Sequence, residues 1–248
     1  MPILQHDDVR LAYEVVGAEN ETPLVLIHGL GDRRELWKGI VPGLAQEQRI
    51  LTYDLRGHGE SDVPADPSAY SMPIFVDDLR ALLDSLGVFR ARLAGFSLGG
   101  AVAVHFALRH PERTIALAMI NANAAARDPG EEAAMERSAA GGRPGMALMP
   151  EQERRWVDRL LERLPEGARL ASVVGRGASI VERAARLSMP VWLVASDRDP
   201  GFARRSAALL PLLPRGHRVV IEGAGHAVML DQPAALVDVL REFARATA

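Results

Sequence analysis

No cysteine occurs in the chain. Disulfides, thiolate nucleophiles and cysteine-held metals are therefore excluded. Lysine is nearly absent as well. Lys38 stands alone among 29 basic residues, and the arginines form no block, so a nucleic-acid surface is not expected. Long hydrophobic runs are missing: TIALAMI (114–120) is far short of the ~20 residues that span a bilayer. The opening MPILQHDDVR has no basic stretch followed by an apolar one, so no secretory signal is read there. These absences predict a cytoplasmic protein with neither membrane nor nucleic acid as partner. Neither a monomer nor a homodimer is favoured.

What is present is core material. The 248 residues are 48% hydrophobic and 25% charged, with a net charge of −3. This suits one large domain, or one domain with an insert.

Residues 2–6 and 9–16 read as a hairpin about Asp7 and Asp8. PLVLIH (23–28) is a continuous apolar run, as in a strand buried on both faces. A helical stretch at 33–46, a strand at 49–54 and the glycine-rich LRGHGESD follow. Residues 74–87 have amphipathic helical spacing, ending at Gly87. A strand then leads through residues 95–97 into a helix at 98–109, and TIALAMINA (114–122) is the next strand. Alternation resumes at PVWLVA (190–195), with a helix near 202–213, a strand HRVVIE (217–222) and a closing helix at 233–246. Strands alternating with helices predict a mostly parallel, doubly wound α/β sheet. Residues 124–187 break the pattern and read as a small helical insert within a core of 1–123 and 188–248.

The chemistry centres on GFSLG (95–99). With 11 serines and 22 glycines, chance supplies a G-x-S-x-G in about one such chain in ten, so its setting decides. Here it follows a strand and opens a helix, the context of a nucleophile on a sharp turn. A serine nucleophile needs a base, and the base needs an orienting carboxylate. In an open parallel sheet such groups collect at the carboxyl ends of strands.

That rule sorts the histidines. His226 lies just past HRVVIE, on the correct edge, whereas His217 begins that strand. His105 and His110 belong to the helix after Ser97, and His6 to the hairpin. His28 and His58 share the edge but precede the serine. For the acid, the order Ser…Asp…His leaves Asp197 or Asp199. Asn121 and Asn123, at the preceding strand end, are not acidic, and Asp231 comes after the histidine. The spare aspartate is expected in solvent or capping the next helix. Oxyanion donors are expected from the Leu98 N–H and the Leu30 N–H, with His28 bracing the latter's loop. Gly29, Phe96, Met146, Met149 and Trp156 are the candidate pocket residues, while Arg137, Arg143, Arg154 and Arg155 read as a solvated helix face. The chemistry needs no cofactor, and no metal site is read.

Together HGLG (28–31), YDLRGHGESD (53–62), GFSLGG (95–100), SDRDP (196–200) and GAGHAVMLDQP (223–233) resemble the α/β-hydrolase family, in its serine-nucleophile branch. The resemblance covers nearly the whole chain outside 124–187. It implies that Asp199 closes a G-x-x-D pattern in which Ser196 replaces the glycine, and that the insert is a cap shaping the substrate pocket. Dehalogenases and epoxide hydrolases of this fold carry aspartate at the position of Ser97, so those activities are not implied. The motifs resemble small bacterial esterases, 3-oxoadipate enol-lactonases and carrier-protein methyl-ester esterases. The expected reaction is ester or lactone hydrolysis of a small-molecule substrate through an acyl-enzyme. C–C bond hydrolysis, lyase chemistry or perhydrolysis on the same triad, and a slow-turnover small-molecule receptor, are the rival readings.

Overall fold

The computed structural model describes residues 2–17, 22–122 and 180–248. Met146, Met149, Trp156, the four arginines at 137, 143, 154 and 155, and nearly all of the expected insert lie outside the described residues.

The described chain forms an eight-stranded sheet in the order β1-β2-β4-β3-β5-β6-β7-β8. β1 (Ile3–His6) and β2 (Val9–Val16) make the antiparallel hairpin, and β2 pairs antiparallel with β4 (Ile50–Tyr53). The remaining pairings are parallel: β3 (Leu24–Ile27) with β4 and β5 (Ala91–Phe96), then β6 (Thr114–Ile120), β7 (Val191–Ser196) and β8 (Gly216–Ile221).

The apolar runs are continuous because the central strands are covered on both faces. Period-two alternation divides their side chains between two cores. Val25, Ile27, Leu51, Leu93, Leu117 and Leu193 point to one, with α2 (Met72–Ser85), α3 (Leu98–Arg109) and α4 (Pro200–Leu209). Leu24, Leu26, Ile50, Phe96, Ile120 and Val194 point to the other. There they meet α1 (Val41–Leu44), the short α5 (Val228–Asp231) and α6 (Pro233–Ala246). Ala184 and Leu187, just before β7, also pack into the first core.

Two helical stretches are less regular than their spacing suggests. Residues 34–39 form a 3-10 turn before the four-residue α1, which carries Pro42 and Gly43, both weak in helix interiors. α4 stops at Leu209 and continues as a 3-10 turn at Leu210–Leu212, where Pro211 has no N–H for an α-helical bond.

The parallel register aligns the strand ends. Ile27 pairs with both Tyr53 and Gly95, Phe96 with Ile120, Ile120 with Val194, and Ser196 with Ile221. His28, Asp54, Ser97, Asn121, Asp197 and Glu222 therefore leave the sheet along one edge.

Candidate active site

Ser97 links β5 directly to α3. Its backbone sits at φ 51°, ψ −114°, outside the regions open to ordinary side chains. Among the described residues only Asp7 and Asn121 share a positive φ without being glycine. Two of these three positions lie at adjacent strand ends of the candidate site, where strained backbone tends to collect. The turn is held from both sides. The Ser97 N–H donates to the Ile120 carbonyl at 3.1 Å, and the Ser97 carbonyl accepts from Gly100 N at 3.1 Å.

The glycines of this turn are demanded by contact. A Cβ on Gly99 would lie 2.2 Å from the Ile27 carbonyl oxygen, and one on Gly95 would lie 2.3 Å from that of Gly99. Only bare backbone lets α3 start directly against the end of β3. The Leu98 N–H heads this helix and belongs to the donors that no helix satisfies internally.

The loop after β3 presses on the same turn. A Cβ on Gly29 would come within 2.9 Å of the Phe96 ring and 3.3 Å of Ser97 Cβ. Leu30, half-buried, follows directly. His28 braces this loop as expected. Its Nε2 accepts the Leu55 N–H at 3.0 Å, so Nδ1 carries the proton and donates to the Gly29 carbonyl at 2.7 Å. Burial first, and the neighbouring His58 second, push the His28 imidazole down to about 3. It is a neutral strut, with its tautomer set by its partners.

The loop 54–62 joins the same brace. Asp54 accepts the Arg34 N–H at 2.6 Å and the Glu60 N–H at 2.9 Å, and pairs with the Arg34 guanidinium. Burial still pushes its carboxyl up. Within YDLRGHGESD the sequence alone assigns these residues no role; an aspartate directly after a buried strand is the one local signal.

His226 lies in the loop after β8. Its Nδ1 is 2.8 Å from Asp199 Oδ2. A carboxylate only accepts, so Nδ1–H donates, and in this tautomer the ring lone pair lies on Nε2. Phe96 and Phe202 flank the imidazole, with ring centroids 4.9 and 4.7 Å away. Both partners of the His226–Asp199 pair are only 17% exposed. Phe96 itself is fully buried. It packs against the imidazole and lies close to the Gly29 backbone.

The two aspartates divide their work, with Asp197 exposed to solvent, one of the two places expected for the spare acid. Asp199 also caps α4, accepting the Phe202 N–H at 3.3 Å. The spare Asp197 instead accepts the Ala224 N–H at 3.2 Å. Backbone donors, Gly223 foremost, hold its carboxyl below the usual range. Asp231 accepts the Gly225 N–H at 2.8 Å. Both therefore brace the loop carrying His226. Of the other histidines, His217 stacks on Trp192 at 4.2 Å and His110 on Phe106 at 5.1 Å, away from Ser97 as their strand and helix positions imply. A groove of about 600 Å³ between the β1–β2 turn, residues 62–64 and α2 contains neither Ser97, Asp199 nor His226.

The structure thus brings Ser97, the Gly29–Leu30 loop, Asp199 and His226 to one sheet edge. Comparison with known proteins finds chains similar over nearly their whole length. The pimeloyl-[acyl-carrier protein] methyl ester esterase of Aeromonas hydrophila is 31% identical, over 89% of this chain and 94% of its own. A carboxylesterase structure from the thaumarchaeon Nitrososphaera gargenis superposes with a TM-score of 0.83 at 25% identity, covering 99% of this chain and 98% of its own. The enol-lactonase structure from Burkholderia xenovorans superposes at 0.81 with 25% identity, covering 98% and 100%. No helix among the described residues is long and apolar enough to cross a membrane. A family model of the α/β-hydrolase fold matches residues 22–147, from β3 through the Ser97 turn and beyond, and with it the chain belongs to the α/β-hydrolase family.

Proposed function

We propose that this hydrolase cleaves a small-molecule carboxylic ester or lactone through an acyl-enzyme on Ser97. The observation that carries the reading is His226 Nδ1 held by Asp199 at 2.8 Å, beside a Ser97 turn at φ 51°. In the proposed mechanism His226 Nε2 takes the Ser97 proton as the oxygen attacks the carbonyl. Asp199 fixes the tautomer and stabilises the imidazolium that forms. The alkoxide of the tetrahedral intermediate is held by the Leu98 N–H, aided by the helix N-terminus, and by the Leu30 N–H. His226 then protonates the leaving alkoxide, and water, activated by the same imidazole, releases the acid. The close approach of Gly29 to Ser97 supports the choice of loop: a side chain there would displace the Leu30 amide. The relatives reported above act on a methyl ester, carboxylic esters and an enol-lactone by name, which supports the same bond class here.

Hydrolysis of p-nitrophenyl butyrate by wild type and by Ser97→Ala tests the reading. Steady turnover in wild type and its loss in the variant are expected. Equal turnover in both would remove Ser97 from the chemistry. A single stoichiometric release in wild type, with no steady state, would favour a receptor.

A further inference from the structure

Asn121 follows β6 with its side chain buried, 2% exposed, on a backbone at φ 41°. Its Oδ1 accepts the Ser196 N–H at 3.0 Å. Its Nδ2 donates to Ser196 Oγ at 2.7 Å and to the His226 carbonyl at 2.8 Å, with the Gly225 carbonyl further off at 3.3 Å. A primary amide has two N–H bonds, so the two short contacts use both. The Asn121 N–H in turn donates to the Val194 carbonyl at 2.9 Å. One buried side chain therefore ties the end of β7, three residues before Asp199, to the main chain of His226. Asparagine suits the place twice: it tolerates a positive φ, and it alone of the Asn/Asp pair presents donors to both the Ser196 hydroxyl and the His226 carbonyl.

We infer that Asn121 is a positioning residue, which fixes the main chain of His226 against β7 so that the imidazole is held between Asp199 and the Ser97 turn. The inference rests on the proposed role of His226. It also gives Ser196, the departure from the family's glycine, a partner: its hydroxyl accepts half of the Asn121 donation. An isosteric carboxylate at 121 would face the His226 and Gly225 carbonyls with no proton to offer. Asp199, Asp197 and Asp231, the other ionisable side chains bonded to the same loops, remain unchanged in the variants below.

The test is kcat and KM for p-nitrophenyl butyrate across pH, per active site counted with a fluorophosphonate label. Asn121→Gly keeps the backbone angle accessible and removes the amide. Its kcat is expected to fall about ten- to hundredfold with KM within about twofold, as for loss of buried hydrogen bonds to a group acting in the transition state. Asn121→Asp can donate to the His226 carbonyl only while its carboxyl is protonated. Its rate relative to wild type should therefore decline as pH rises. Wild-type kcat per labelled site in Asn121→Gly, or an Asn121→Asp profile parallel to wild type, overturns the inference. If Asn121→Asp yields no folded protein, the Asn121→Gly rate decides alone. Ser97→Ala is run alongside: turnover persisting there indicts the proposed triad, whereas its loss with unaffected Asn121 variants indicts only the positioning role.

Discussion

Asp199 divides its two carboxylate oxygens between His226 Nδ1 and the amide of Phe202. Asparagine caps helices as well as aspartate does, so Asp199→Asn keeps the start of α4 and removes the charge facing the imidazole. Stability should change little, while kcat falls about 10⁴-fold, as when a triad acid is neutralised. Asp197→Asn weakens only its bonds from loop amides, those of Gly223 and Ala224 among them, with a loss of no more than about tenfold. Ester kinetics and thermal melts on the two variants check this, and the reverse ranking would move the acid to Asp197. Candidate residues were legible in the sequence where strand ends and chain order constrained them: Ser97 by its glycines, His226 by its distance past β8, and the acid as one of two aspartates. Asn121 was legible only as a residue that is not acidic. A side-chain amide declares its role through partners 75 and 105 residues away, and no local pattern encodes them.

At the scale of elements, the β5–turn–α3 unit depends on backbone meeting backbone. A methyl group on Gly99 cannot be accommodated by rotating a side chain, because both nearest atoms are carbonyl oxygens, of Ile27 at 2.2 Å and His28 at 2.5 Å. Gly99→Ala should therefore cost about 3 kcal/mol or more, at the upper end of overpacking. Urea denaturation measures it, and a loss below about 1 kcal/mol would show that α3 can slide off β3. The strands were the legible elements, because a sheet covered on both faces writes each strand as an unbroken apolar run. The 33–46 stretch misled: its apolar spacing is helical, yet Gly39, Pro42 and Gly43 divide it into a 3-10 turn and a single turn of α-helix.

The whole molecule carries a pH signature from the strut behind the site. The buried His28 has its pKa lowered to about 3 against an ordinary 6.5. The unfolded chain therefore takes up a proton at His28 that the folded chain refuses. The stability this residue contributes is intact above pH 6.5 and is lost progressively as pH falls toward 3. By pH 5 the loss amounts to about 2 kcal/mol. His58, also buried, is shifted in the same direction. Urea unfolding at pH 7 and pH 5 should show wild type losing about 2 kcal/mol more than His28→Gln over that interval; equal losses would mean that His28 charges freely in the folded state.

A further consequence lies in how the strand ends are sewn together. The amide hydrogens of Ser97, Asn121 and Ser196 all point sideways, to Ile120, Val194 and the Asn121 side chain. The first two are rungs of the central sheet extended one step beyond the strand ends, and the third joins the last residue of β7 to them through a side chain. Such rungs come apart only when neighbouring strands separate. These amides are therefore expected to exchange with solvent as slowly as those of the central strands, a rate that hydrogen exchange reads directly.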